Sequence, residues 1–318
     1  MNPTAAQTDF NCAYTAVLNS PRMTIGLFFA IDSYAGATPD MDGQLKLAIR
    51  AEELGYAALW ARDVPVHDTA FGDVGQVYDP YVWLGHISAV TTKIALGTAG
   101  LVLPLRHPIH TAKAIASVDQ LTGGRMIAGL SSGDRFVEYP LFGASHDERG
   151  AGFKRHALSI RRILAGDLEH LAPGQVGREL AQPVPLPAHG TVPLLAIGSA
   201  QQPLAWIAEN LDGFVTYPRP VGTQAQVARA WQRAVEAVRS RPKPFAQSLY
   251  IDLLESPKAA PTPIHLGLRA GTEALTAELL ALESIGVNHV MLNLKYGRRP
   301  AAEVMEHVAE DVLPKFRG

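Results

Sequence analysis

Cysteine is nearly absent from this sequence: among 318 residues, Cys12 carries the only thiol. One thiol excludes a disulfide within the chain and a metal centre built from several thiolates. Such low cysteine usage is typical of a reducing compartment. The first ten residues contain neither a basic segment nor an apolar one, so they indicate no secretory signal. We therefore expect a cytoplasmic protein.

Long apolar runs and a strong charge of either sign are also missing. No apolar run approaches about 20 residues, the length of a membrane-spanning helix. The formal net charge of −2 disfavours nucleic acid and anionic membranes as partners, because both attract basic surfaces. Hydrophobic residues nevertheless make up 47% of the chain, which is enough for a large core. The composition predicts a soluble protein.

Several sequence motifs of catalytic sites are absent as well. The 11 histidines are scattered and form no H-E-x-x-H pattern, so no metal site is expected. There is no G-x-S-x-G motif of a serine hydrolase. The segment after the first predicted strand lacks G-x-G-x-x-G, which disfavours an open dinucleotide-binding sheet.

Eight apolar segments of strand length are present, and a stretch with helical spacing follows each of them. This alternation predicts a single (β/α)8 TIM barrel over residues 23–318, with insertions after the fourth and seventh strands and an N-terminal arm at 1–22. The predicted strands are Met23–Ala30, Tyr56–Trp60, 94–103, Arg125–Ser131, Val192–Ile197, Gly213–Tyr217, Phe245–Leu254 and Val287–Leu294.

Small and polar residues end two neighbouring strands of this predicted barrel. The third strand contains Gly97-Thr98-Ala99-Gly100, and the fourth runs into Ser131-Ser132-Gly133-Asp134. Small residues there would let a flat ligand lie against the backbone. Active sites of TIM barrels lie at the carboxyl ends of the strands. The pattern favours a ligand site, although glycines that only form tight turns would give the same letters.

Other strand ends add candidates, each with a simpler structural alternative. Asp63 is the best acid–base candidate, unless it only pairs with Arg62. His107 is a second candidate base, or an anchor at a helix start. Gly198-Ser199-Ala200-Gln201 is predicted to begin a helix and bind phosphate, unless Ser199 is an ordinary cap. The charged groups Asp134-Arg135 and Asp147-Glu148-Arg149 are interpreted as surface or rim ion pairs.

Three motifs together resemble the bacterial luciferase-like monooxygenase family, whose members use flavin or, in one branch, the deazaflavin F420. The resemblance covers Met23 to about Phe316. The motifs are Gly97-Thr98-Ala99-Gly100 followed by L-V-L-P-L-R-H-P, Asp119–Arg125, and Ala196–Ala208 with the letters A-I-G-S-A-Q-Q-P-L-A-W-I-A.

The resemblance implies roles for individual residues. Ala99-Gly100 resembles a pair joined by a non-proline cis peptide under the flavin ring, and Ser131 the position beside the reactive flavin carbon. Ser132 replaces the phosphate-binding arginine of luciferases, and the paired histidines after the second strand are replaced by Arg62 and Asp63, so no light emission is expected. The resulting catalytic candidates are Asp63, Ser131 and His107. The cofactor candidates are Thr98, Ala99, Gly100, Ser131, Ser132, Gly133, Asp134, Gly198, Ser199, Ala200, Gln201, Gln202 and Tyr217.

The function implied by the resemblance is a two-component monooxygenase. Reduced FMN would come from a separate NAD(P)H:flavin reductase, and O2 would oxidise a small organic substrate, in a homodimer. One alternative is F420-dependent hydride transfer, which a basic rim at Arg298 and Arg299 would favour. Others are a flavin-binding protein with little turnover and an unrelated barrel lyase or isomerase, for which Lys295 alone is poor support.

Overall fold

Eight parallel strands close into a barrel in a computed structural model of the chain. The structure describes residues 10–71, 74–177 and 179–317, so the first nine residues of the predicted arm lie outside it. The strands are β1 Thr24–Phe28, β2 Ala58–Ala61, β3 Ala95–Val102, β4 Met126–Ser131, β5 Leu194–Ile197, β6 Gly213–Thr216, β7 Phe245–Leu253, β8 Thr262–Ile264, β9 Gly267–Ala270 and β10 His289–Asn293.

The barrel closes because β10 pairs in parallel with both β1 and β7. Strands β1 to β7 lie in chain order between those two contacts. The predicted (β/α)8 barrel is therefore confirmed. The insertion after β7 forms the antiparallel hairpin β8–β9. Strand β9 also pairs in parallel with the second half of β7.

Helices on the outside of the barrel connect the strands, and the one after β5 begins later than predicted. The first helix begins at Gln44, after Gly43 with φ +78°. The helix after β5 begins at Leu204, because Ala200 and Gln201 have φ of 48° and 61° and cannot continue a right-handed helix. The helices are α1 Gln44–Leu54, α2 Pro80–Ser88, α3 Pro108–Thr122, α4 Glu138–Leu141, α5 Arg149–Leu164, α6 Leu204–Asn210, α7 Val221–Ala237, α8 Thr272–Ser284 and α9 Ala301–His307.

The N-terminal segment closes the amino end of the barrel. Tyr14, Val17 and Leu18 are buried in one apolar cluster with inward-facing strand residues such as Trp60 and Met291. Their i, i+3, i+4 spacing places them on one side of a helical turn. This cluster is separate from the larger core between the strands and the outer helices.

Polar groups at this closed end are matched. The side chain of Asn11 donates to Asp119 Oδ1 and to the carbonyl of Met126, both at 2.8 Å. Deeper in the barrel, His289 Nε2 accepts from Trp60 Nε1 at 3.0 Å. Its Nδ1 lies 2.7 Å from the hydroxyl of Thr24. Burial lowers the pKa of His289 to about 3, so the ring is neutral and both nitrogens are used.

Candidate functional site

A cavity of about 780 Å³ opens at the carboxyl end of the barrel. This volume lies within the usual range of ligand and cofactor sites. Its wall contains residues that follow or end β2, β3, β4, β5, β6, β7 and β10. The small-residue ends of β3 and β4 both belong to this wall, so the two segments singled out in the sequence do lie together.

The end of β3 bulges toward the cavity at Gly100. The pairing with β4 jumps from Ala99 opposite Gly129 to Leu101 opposite Leu130, which leaves Gly100 between them. Gly100 has φ +110°, a conformation that only glycine adopts readily. The expected cis peptide at Ala99–Gly100 is wrong, because the non-proline cis bond among the described residues joins Phe29 and Ala30.

Thr98, a predicted cofactor ligand, lies outside the cavity wall. Its hydroxyl donates to the carbonyl of Gly129 at 3.1 Å and accepts from the amide of the same residue at 3.0 Å. The side chain is fully buried. Thr98 therefore links β3 to β4, while Ala99 and Gly100 contribute to the cavity wall.

The predicted residues after β4 all line the cavity. The hydroxyl of Ser131 is 3.1 Å from the carbonyl oxygen of Gly100, so it bonds across to the bulge. Ser132, Gly133 and Asp134 follow in the wall. Ser132 also accepts a hydrogen bond at its carbonyl from the hydroxyl of Tyr139, which ties the next connection down to the strand end.

The loop after β5 contributes only part of its predicted phosphate set. Gly198 and Gln201 line the cavity, whereas Ser199, Ala200 and Gln202 are not in its wall. Ser199 is exposed. The side chain of Gln202 donates to the carbonyl of Gly150 at 2.7 Å, so it joins this loop to the start of α5.

The two acid–base candidates outside β4 are both engaged in structural contacts. Asp63 is 5% exposed and accepts two hydrogen bonds from Arg106 at 2.7 and 2.6 Å. It also accepts from the amide of Val102 at 3.0 Å. Its ion-pair partner is thus Arg106 rather than Arg62. His107 is exposed and caps α3 through Nδ1, 3.3 Å from the amide of Ile109, and it does not line the cavity.

Basic residues missed by sequence reasoning enter the cavity from the β4–α5 connection. Arg135, His146 and Arg149 all line it. Arg149 is the first residue of α5, and its Nη1 donates to the carbonyl of His146 at 2.8 Å. Its buried Nε has no hydrogen-bond partner among the described residues. The sequence analysis interprets Arg135 and Arg149 as members of surface or rim ion pairs. In the structure both arginines point toward the cavity.

Arg149 places a positive charge in the first turn of α5, where a helix usually carries acidic residues. The amino end of a helix carries a partial positive charge and favours acidic residues or anions. The first turn of α5 contains no acidic residue, and Glu148 provides no side-chain cap. Close by, a Cβ atom on Gly150 would lie 2.8 Å from Cβ of Gln201. The start of α5 and the loop after β5 therefore converge on one electropositive corner of the cavity.

The same connection buries a carboxyl group in the wall. Glu138 lines the cavity and is 1% exposed. Neither of its oxygens has a hydrogen-bond partner among the described residues. Burial raises its pKa to about 7, while Arg135 opposes that shift. No sequence pattern marks this residue, because a lone glutamate in a long connection normally faces solvent.

Aromatic rings line the opposite side of the cavity. Tyr250 and Tyr296 have ring centroids 5.0 Å apart, and His265 from the β8–β9 hairpin lies 6.0 Å from Tyr296. All three line the cavity, as does the predicted residue Tyr217, which is 57% exposed. These rings lie on the side formed by β7, β10 and the hairpin.

The described residues contain neither a metal-binding cluster nor a membrane-spanning helix. Among residues 10–71, 74–177 and 179–317, no group of three or more histidine, cysteine, aspartate or glutamate side chains could hold a metal ion. No helix in this part of the chain is both long and apolar enough to cross a membrane.

The chain is similar in sequence to an oxygenase of known function. It is 25% identical over 233 residues to the 4-hydroxyprotoasukamycin monooxygenase of Streptomyces nodosus subsp. asukaensis, a match that covers 68% of this chain and 59% of that protein. To an uncharacterized protein of Mycobacterium tuberculosis it is 35% identical over 147 residues, a match that covers 45% of this chain and 51% of that protein. The chain thus spans little more than half the length of these two curated relatives.

Solved structures with the same fold use either of two cofactors. An F420-dependent secondary alcohol dehydrogenase, solved with an F420–acetone adduct, superposes with a TM-score of 0.74 at 18% identity, over 93% of this chain and 100% of the other. The oxygenating constituent of 3,6-diketocamphane monooxygenase from Pseudomonas putida, solved with FMN, gives 0.71 at 13% identity over 93% and 99%. At these identities the likeness concerns the fold alone.

A family model places the chain more firmly. The model described as luciferase-like monooxygenase matches residues 23–309, which is most of the chain and includes every strand of the barrel. The chain therefore belongs to the luciferase-like monooxygenase family.

Proposed function

We propose that this chain is the oxygenase of a two-component flavin system. It binds reduced FMN delivered by a separate NAD(P)H:flavin reductase and uses O2 to oxidise a small organic substrate. The observation that carries the proposal is the cavity itself. One side presents small residues and backbone at Ala99, Gly100 and Ser131, and another side presents Arg149, whose buried Nε has no partner in the part of the chain that the structure describes.

The residues fit a phosphorylated flavin. The phosphate belongs at the electropositive corner, where Arg149 Nε and the first amides of α5 offer donors. A Cβ atom at Gly198 would meet no heavy atom within 4 Å, so that loop leaves space beside the corner. Gln201 completes the corner. Ser199, exposed to solvent, takes no part in this assignment.

The small-residue wall suits the flat ring. The bulge at Gly100 turns backbone rather than side chain toward the cavity, and the hydroxyl of Ser131 stands next to it. The aromatic rings of Tyr250, His265 and Tyr296 then form the substrate side. Asp63 acts through Arg106: their ion pair holds the end of β3 in place, because Asp63 also binds the amide of Val102.

The chemistry is divided between cofactor and protein. Reduced flavin, when bound, supplies the electrons that activate O2. The protein binds and orients the reactants and excludes water. The connections at 133–152 and 256–271 both contribute to the wall, and we propose that they cover the site during turnover.

F420-dependent hydride transfer is the second candidate. F420 carries an acidic tail, and the cavity wall contains three arginines that can bind it, Arg62, Arg135 and Arg149, alongside three carboxyl residues. The rim cations expected from the sequence support this less well. The side chain of Arg298 is 68% exposed and 3.5 Å from Asp252, and Arg299 is 2.9 Å from His307 Nδ1.

Calorimetric titration of the purified protein distinguishes the two cofactors. Reduced FMN under anaerobic conditions, oxidised FMN and F420 are titrated separately. We expect tightest binding of reduced FMN, and incorporation of ¹⁸O from ¹⁸O2 into a product when a flavin reductase and candidate substrates are added. Preference for F420 would move the function to hydride transfer, and binding of neither would contradict both candidates.

A variant of the corner tests where the phosphate binds. In Arg149→Gln we expect FMN binding to weaken by about 10- to 100-fold, because a charge-assisted bond to phosphate contributes about 1.5–3 kcal/mol. Riboflavin, which lacks the phosphate, should bind equally to the variant and the wild type. Arg155→Gln, an exposed arginine on the same helix, is the control and should change neither affinity.

We also propose that the chain forms a homodimer. Val82 is 71% exposed and Tyr78 50% exposed, and both line an apolar groove with Met41, Leu45 and Trp83. Exposed apolar surface of this kind often marks a contact between proteins. Light scattering coupled to gel filtration gives the mass in solution, and a monomer would contradict the proposal.

A further inference from the structure

Glu138 is a buried carboxyl group without a hydrogen bond in the wall of a functional cavity. Both of its oxygens are inaccessible to solvent, and none of the described residues donates to them. Natural proteins rarely leave a buried polar atom unpaired, because the lost hydrogen bond to water costs about 1–3 kcal/mol. Such exceptions concentrate at functional sites.

The local fold keeps donors away from this carboxyl. The amide of Glu138 donates to the carbonyl of Arg135 at 3.3 Å, so a tight turn sets the backbone. The neighbouring hydroxyl, that of Tyr139, is used by the carbonyl of Ser132. The hydroxyl of Tyr139 is therefore not available to the carboxyl group of Glu138.

One cation faces Glu138, and several anions lie around it. Arg135 Nη1 is 3.7 Å from Oε1 of Glu138, which is close enough for attraction but too long for a hydrogen bond. Asp63, Asp134 and Asp68 repel the ionised form, although Asp63 is itself paired with Arg106. Ionisation of Glu138 thus depends chiefly on one guanidinium group that also lines the cavity.

We propose that Glu138 is the proton-exchanging group of the cavity, and that an anionic ligand group that engages Arg135 drives a proton onto it. The inference rests on the proposed function, because it takes the cavity as the cofactor site. The step is a simple acid–base exchange. The ligand anion accepts hydrogen bonds from Arg135, the carboxylate loses its compensating charge, and one of its oxygens takes a proton from water or buffer.

The exchange has a definite consequence for binding. Burial has already raised the pKa of Glu138 to about 7, and loss of Arg135 to a ligand raises it further. Binding then takes up protons near neutral pH. Above pH 7 the apparent affinity for the anionic ligand falls, by up to about tenfold for each pH unit. Glutamine at position 138 is permanently neutral and mimics the protonated state.

The first experiment follows Glu138 without any cofactor. Infrared difference spectra of the wild type minus Glu138→Gln are recorded across pH 5 to 9. We expect a protonated carboxyl signal that is present at pH 6, absent at pH 9 and missing from the variant. Arg135→Gln should move its loss to higher pH. A carboxyl that is already fully ionised at pH 6 would overturn the inference.

The second experiment measures protons taken up on binding. Reduced FMN is titrated at pH 7.5 in two buffers of different ionisation enthalpy. Its ring is largely anionic at this pH and is the group expected to engage Arg135, while the phosphate binds at Arg149. We expect uptake of a fraction of a proton by the wild type, and a smaller value in Glu138→Gln with binding at least as tight. Asp147→Asn, a 99% exposed carboxyl on the same connection, is the control and should match the wild type.

The outcomes separate this inference from the proposed function. Equal proton uptake in the wild type and Glu138→Gln would overturn the role of Glu138 while leaving flavin binding intact. If no cofactor binds, the proposed function fails, and the infrared titration alone then decides whether Glu138 exchanges a proton near neutral pH under the control of Arg135.

Discussion

The two ends of this barrel differ in whether their buried polar groups have hydrogen-bond partners. At the amino end, Asn11 pairs with Asp119, and His289 lies between Trp60 and Thr24 with both nitrogens used. At the carboxyl end, both oxygens of Glu138 and the Nε of Arg149 have no partner among the described residues. A fully matched set stabilises a fold, whereas unmatched groups in a cavity wall can be satisfied by a ligand or by ordered water.

The comparison separates residues that support the fold from residues that serve the site. At the amino end the N-terminal segment fills the interior of the barrel with the side chains of Tyr14, Val17 and Leu18. The carboxyl end contains a cavity of about 780 Å³. Substitutions at the amino end should therefore change stability and leave ligand affinity alone, and substitutions in the cavity wall should change ligand affinity. Each prediction below tests one side of this division.

The largest effect is expected from the segment that closes the amino end. Leu18 is 2% exposed within the inner apolar cluster. Leu18→Ala should lower the free energy of unfolding by about 2–5 kcal/mol, because it removes buried methyl groups and leaves a cavity. Urea denaturation measures the loss. The affinity of the remaining folded protein for reduced FMN should equal that of the wild type, and a parallel loss of affinity would break the comparison.

His289 predicts how the matched end responds to acid. Its native pKa is lowered to about 3, whereas the unfolded chain titrates near 6.5. Below pH 6.5 the unfolded state binds a proton that the native state does not, so stability falls as pH decreases. The loss relative to His289→Gln approaches about 1.4 kcal/mol per pH unit between pH 5.5 and 3.5. Denaturation curves of both proteins at several pH values measure it, and identical slopes would refute the assignment.

Glu138 should give the opposite slope. Its pKa is raised to about 7 in the native state from about 4.3 in the unfolded chain. The native state therefore binds the extra proton, and its contribution to stability is lost as pH rises from about 4.5 to 7. Relative to the wild type, Glu138→Gln should gain about 1–3 kcal/mol of stability between pH 4.5 and 8. A constant difference across this range would contradict the burial of an unpaired carboxyl.

The smallest effect on stability is expected at the cavity wall of β3. Ala99→Leu adds bulk where we place the flavin ring, so reduced FMN should bind about tenfold more weakly or worse. Ala99 packs against the inner apolar cluster on one side and borders the cavity on the other, so we expect the larger side chain to extend into the cavity and the fold to be kept. Circular dichroism checks the fold and calorimetry the affinity. Unchanged affinity in the folded variant would remove the ring from this wall.

The sequence was sufficient to predict the barrel because each strand and helix carries its own periodicity. It also placed Ala99, Gly100 and Ser131 at the barrel end where they line the cavity, since small residues at strand ends can be recognised in the sequence. The role of Thr98 depended on the register with Gly129, which no single segment encodes. The late start of α6 depended on positive φ angles at Ala200 and Gln201, which residues other than glycine and asparagine rarely signal.

Arg149 and Glu138 could not be identified from sequence for a different physical reason. Both belong to the connection between β4 and α5, whose path over the barrel follows from tertiary contacts such as that of Tyr139 with Ser132. A charged residue in a long connection usually faces water. Only the folded path shows that these two side chains turn inward, and that both oxygens of Glu138 and the Nε of Arg149 have no hydrogen bond among the described residues.

Hydrogen–deuterium exchange with and without saturating reduced FMN tests the division between the two ends most directly. We predict slower exchange in peptides that cover 97–102, 131–150 and 197–202, and no change in peptides that cover 10–24. Protection of the N-terminal segment, or no protection at the strand ends despite measured binding, would contradict the placement of the cofactor site at the carboxyl end of the barrel.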